Sequence, residues 1–130
     1  APTVTTTPGT TYLSLNDTNI VIDPTLTITD PDSPTLLAAS VRIQNWPHAN
    51  DTLSYSLPAA SPITVVQNSA GLLLFSGEAT VAEYQQLLRT VTFSTQYSPT
   101  ADRTIIFTVT DHLGIDSPDA TRALVIETGV

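Results

Sequence analysis

The sequence predicts an all-β sandwich with one short helix, and three observations carry that prediction. Eight or nine short segments alternate apolar and polar residues or run apolar for a few positions, and Gly, Pro, Asp and Asn separate them. Only 12% of residues are charged, so Thr, Ser, Asn and Gln must supply the polar surface, and β-branched Thr suits a half-exposed pleat. A single stretch carries helical spacing. At 130 residues the chain is sized for one domain, 1–130, that hides roughly two thirds of its unfolded surface.

Along the chain, Pro2 to Thr7 reads as a first strand, ended by a kink at Pro8-Gly9. Tyr12 to Leu15 and Ile20 to Ile22 follow, with a polar corner between them. In Thr25 to Thr29, Leu26 and Ile28 share a face; Asp30-Pro31-Asp32-Ser33-Pro34 then turns the chain. Leu37 to Gln44 sets Ala39, Val41 and Ile43 on one face, and Asn45 to Asp51 is a loop. Leu53 to Leu57 alternates. Ile63 to Val66 and Leu72 to Phe75 form a pair around a turn at 67–71.

The helix spans Val81 to Leu88. Thr80 and Glu83 have capping-box spacing, and Val81, Tyr84, Leu87 and Leu88 fall on one face. Val91 to Phe93 resumes the β pattern. Thr104 to Thr110 is the strongest strand, with Ile105, Phe107 and Val109 on one side. Asp111 to Gly114 turns, and Ala120 to Thr128 closes the domain. The first and last strands suit a bead on a string, with chain arriving at one pole and leaving at the other.

Twelve acidic residues face four basic ones, all Arg, for a net charge of −8. Such a chain repels nucleic acid and anionic lipid, which need clustered cations, and attracts cations. Without Cys there is neither a disulfide framework nor a thiolate metal site. Without Lys there is no Lys–Asn isopeptide cross-link. No apolar run approaches the ~20 residues of a membrane span, so no direct membrane insertion is expected. The lack of Met predicts a piece of a longer chain.

Three blocks, IDPTLTITDPDSPTLLAASV from Ile22, GLLLFSGEATVAEYQQLLRTVTF from Gly71 and RTIIFTVTDHLGIDS from Arg103, resemble the cadherin-like repeats of large bacterial surface and biofilm adhesins. The resemblance covers most of the chain, and the middle block is its most specific part. It implies a Greek-key (cadherin/Ig-like) β-sandwich. It further implies an extracellular, cell-surface repeat that serves adhesion or spacing, with neighbouring repeats of the same chain as partners. Tyr12-Leu13-Ser14-Leu15 stands where the family often has Y-T-E-G, so one acidic position is missing.

Three chemistries bear on these residues. Calcium needs ~6–8 oxygen ligands. Asp30 and Asp32 alternate around Pro31, Asp111 ends the strongest strand, and Asp17 and Asp23 sit in neighbouring turns, making these five the candidate Ca2+ ligands. The alternative is that each closes its own loop as an Asx turn. Trp46, with Asn50 and Asp51, is the candidate platform for a glycan or protein ligand; the alternative is a Trp folded over the core edge. Catalysis is not expected: neither G-x-S-x-G nor H-E-x-x-H occurs, and His48 and His112 stand alone in turns.

Overall fold

The computed structural model describes residues 2–7, 9–14, 20–31, 34–44, 52–57, 59, 61–69, 71–94 and 103–127. Eleven strands and one helix succeed one another as β1 (Thr3–Thr5), β2 (Thr10–Ser14), β3 (Ile20–Val21), β4 (Thr27–Thr29), β5 (Thr35–Gln44), β6 (Thr52–Ser54), β7 (Thr64–Ser69), β8 (Leu72–Thr80), α1 (Val81–Arg89), β9 (Thr92–Ser94), β10 (Arg103–Asp111) and β11 (Ala120–Glu127). One layer is a six-stranded sheet in the order β2-β11-β10-β5-β8-β7. The other is built from β1-β4 and β3-β9-β6. The chain crosses from one layer to the other between β1 and β2, β2 and β3, β4 and β5, β5 and β6, β6 and β7, β8 and β9 (through α1), and β9 and β10. Only such crossings let both layers present an apolar face to a shared core.

That core is one cluster. Val4 and Ile28 come from β1 and β4, Leu53 and Phe93 from β6 and β9, and Leu36, Val41, Leu73, Phe75, Ile105, Phe107 and Val109 from the large sheet. The alternation in Thr104 to Thr110 produces this directly: Ile105, Phe107 and Val109 are all fully buried. In β5 the alternation of Ala39, Val41 and Ile43 continues across an irregularity. Thr110 pairs with Ala38 but Asp111 pairs with Leu36, so Leu37 is an extra residue and Leu36 also turns inward.

The helix follows β8 with no intervening loop. Thr80 accepts from the Glu83 amide at 3.1 Å and Glu83 reaches back to the Thr80 amide, completing the capping box. Tyr84, Leu87 and Leu88 are fully buried, and Val81 is partly so. The helix also closes the side of β4 that β1 leaves open. The Ile28 amide donates to Gln85 Oε1 at 3.0 Å, and Arg89 Nε donates to the Leu26 carbonyl at 2.8 Å. An exposed strand edge invites pairing with another chain, and these two side chains occupy it.

Two expectations need correction. Gln67-Asn68-Ser69 is not a turn; it continues β7 and pairs with Leu72–Leu74. The ladder of an adjacent strand outweighed a polar composition. The second strand lies at Thr10–Ser14, earlier than expected, and runs parallel to β11.

The strand directions fix where the chain comes and goes. β1 begins at Thr3, opposite Thr29, next to Asp30. β10 runs toward Asp111, and β11 runs back, so Glu127 lies beyond the Arg103–Leu124 pair at the far end. The N-terminal strand therefore starts at the pole that holds Asp30 and Asp111, and the last strand leaves by the other.

Candidate functional site at the N-terminal pole

Asp111 is the last residue of β10, and alternation from Val109 turns its side chain inward; it is fully buried. Its Oδ1 accepts the amides of Leu113 and Ile115, each at 2.9 Å. Its amide donates to the Ile115 carbonyl, and its carbonyl accepts the Gly114 amide, both at 2.9 Å. Gly114 has φ +80°, the left-handed region, where a turn of this kind favours glycine. Ser117 finishes the loop: its Oγ accepts the Val109 amide at 2.9 Å and its own amide donates to the Val109 carbonyl. The polar residues of the D-x-x-G-x-x-S run are thus accounted for as one self-bonded loop.

Half of the Asp111 carboxylate is left over. Oδ2 is shut off from solvent and has no hydrogen-bond partner among the described residues. The Asp30 carboxyl lies within hydrogen-bonding reach of Asp111, 81 positions away in sequence. The Ile115 amide holds the Asp111 carboxyl below the usual carboxylate range; burial opposes this, and the Leu113 amide adds to it. Two carboxylates brought face to face share either a proton or a cation. Around them, His112 Nδ1 lies 2.7 Å from Glu78 Oε2, which also accepts from Thr35 Oγ1 at 2.9 Å. Leu113 and Ile115 at the loop tip are 63% and 45% exposed.

The other candidates divide cleanly. Asp23 does not join this pair. Its carboxylate is buried and takes the Thr7 amide and Thr7 Oγ1, both at 2.6 Å, and the Thr25 amide at 3.3 Å. Arg122 donates to the Thr7 carbonyl at 2.7 Å and pairs in register with Ile105, so this cluster sits six residues from Asp111 along β10, ~20 Å away. Asp23 is an Asx-turn residue that ties the β1–β2 crossing to the second layer. Asp17, Asp32, Trp46, Asn50 and Asp51 lie outside the described residues. Among the described residues no three His, Cys, Asp or Glu side chains gather as a metal site. Asp30 and Asp111 thus bring two carboxylates together, fewer than the ~6–8 oxygens a calcium ion takes.

Sequence reasoning found Asp30 and Asp111 by their place in turns. It missed a hydroxyl-lined depression of about 290 Å³ formed by Ser54, Tyr55, Ser56, Thr90 and Thr92. Ser and Thr are so frequent here that no local signal distinguishes these.

The fold is an all-β sandwich in which β1 starts at one pole and β11 finishes at the other. In sequence, the chain is 35% identical to halomucin of Haloquadratum walsbyi over 106 residues, which take in 78% of the chain. The chain spans about 1% of halomucin's length, so that relative is on the order of a hundred times longer. No family model matches the chain, and no solved structure matches it. No helix among the described residues is long and apolar enough to cross a membrane.

Proposed function

We propose that this module is a non-catalytic repeat of a large extracellular surface protein, whose work is to space and hold what lies at either end. The observation that carries the reading is the placement of the first and last strands at opposite poles. Tandem copies joined that way form a rod, because each adds its long axis to the next. Similarity to a short stretch of a very long protein supports the same reading, as does the resemblance to cadherin-like adhesin repeats. The exposed Leu113 and Ile115 give a preceding module an apolar surface to cover.

A calcium ion at the N-terminal pole completes the proposal. Asp111 Oδ2 and Asp30 would hold it as two ligands of a larger oxygen set. The ion would neutralise the facing carboxylates and lock the 111–115 loop against Asp30.

The rod is tested by small-angle scattering on two copies joined tail to head. The maximum dimension is expected close to twice that of a single copy. A dimension less than half again as long would mean that the copies fold back on each other, and would overturn the reading.

A further inference from the structure

We propose that the depression lined by Ser54, Tyr55, Ser56, Thr90 and Thr92 is a binding site for a single neutral sugar residue. It is distinct from the acidic pole and does not depend on the cation. Its volume, about 290 Å³, lies just under the ~300–1,000 Å³ of ligand pockets, so it suits only a small ligand. All five lining side chains carry a hydroxyl and none is charged. That surface matches a ligand which both donates and accepts hydrogen bonds and carries no charge.

The walls are held in place. Ser54 and Thr92 are cross-strand partners of β6 and β9. Thr90 caps the end of α1, where its Oγ1 donates to the Leu87 carbonyl at 2.6 Å and accepts the Ser56 amide at 3.0 Å. The Tyr55 ring stands edge-on to Phe75, centroids 5.2 Å apart and planes at 81°. A ring already fixed in the core costs little further entropy when a sugar face packs on it.

Thr92 points to what is missing. Its Oγ1 is buried and has no hydrogen-bond partner among the described residues. Buried hydroxyls are nearly always satisfied. No hydrogen bond from the described residues holds this oxygen, and a χ1 rotation to another staggered position is what a ligand would require to reach it from the depression. A sugar hydroxyl there would supply the absent partner. The carboxyl end of α1 carries partial negative charge, and the chain as a whole is at −8, so donating hydroxyls are favoured and anionic sugars are not.

The test is a nitrogen–proton NMR titration of the 130-residue chain with glucose, galactose, mannose and N-acetylglucosamine up to about 100 mM, with glucuronic acid alongside. At least one neutral sugar is expected to shift the amides of residues 54–56 and 90–92 saturably, and glucuronic acid is not. Thr92→Val keeps the shape and removes the hydroxyl; it should weaken binding about tenfold without lowering the melting temperature. Ser54→Ala should weaken it as well. A matching array of immobilised glycans separates recognition of a free sugar from that of a terminal residue on a chain. No saturable shift with any neutral sugar, as when water alone satisfies Thr92, would overturn the proposal. So would unchanged affinity in Thr92→Val, or shifts centred elsewhere.

Discussion

Gly77→Ala is expected to lower the melting temperature by about 10 °C or more. Gly77 lies inside β8, where an alanine is ordinarily harmless. Its φ is +127°, a region that residues with a Cβ essentially do not occupy, and a Cβ there would lie inside the contact radius of the Pro62 carbonyl oxygen. The conformation serves the ladder. Ser76 pairs with Ala38 but Ala79 pairs with Leu36, so β8 spends two residues against Leu37. The Gly77 carbonyl also accepts from Tyr84 Oη at 2.6 Å, and burial pushes the Tyr84 hydroxyl up to about 12. Strain and overpacking together cost about 3 kcal/mol. Gly114→Ala is the control: its φ is +80°, but nothing lies within 4 Å of the added Cβ, so it should cost about a third as much. Thermal melts of both variants decide the point, and equal losses would contradict the close approach to Pro62.

Asp111→Ala is expected to be the second most damaging change, with Asp111→Asn separating two parts of the effect. Alanine leaves the Leu113 and Ile115 amides without their shared acceptor and loosens the 111–115 loop. Asparagine keeps an acceptor at that position and removes the charge, so it should retain most of the stability lost in Asp111→Ala. The pH dependence has a definite sign. The folded carboxyl is held below its unfolded value of ~3.9, so its contribution is complete above that pH and is lost as pH falls through the lower folded value. Urea midpoints of wild type and Asp111→Asn should therefore differ at pH 7, and the gap should shrink as pH falls below the unfolded value of ~3.9. A gap that widens on acidification would show that the carboxylate is not what the loop binds.

How much was legible in the chain depended on how local the signal was. Thr80 and Glu83 are three residues apart and bond each other, so the helix start could be placed to the residue. Ile105, Phe107 and Val109 declare their face by alternation alone. The bulges at Leu37 and Gly77 could not be read, because they arise from pairing between β5, β8 and β10. Gln67, Asn68 and Ser69 look like a turn and become strand only because Leu72–Leu74 lie alongside. At the acidic pole, turn composition singled out Asp30 and Asp111 but gave the same weight to Asp23. Only its distant bonds to Thr7 show that Asp23 is already satisfied. The Thr92 hydroxyl shows nothing in sequence, since its character comes from what surrounds it.

The calcium ion proposed between the facing carboxylates of Asp30 and Asp111 would bind at the pole where the proposed rod joins one copy to the next. The measurement that tests it most directly is the melting temperature in saturating calcium against that in chelator, for wild type, Asp30→Asn and Asp111→Asn. With calcium at a hundred times its dissociation constant, wild type should melt about 8 °C higher, and both variants should lose most of that rise while remaining folded. Equal melting temperatures for wild type in calcium and in chelator would contradict it.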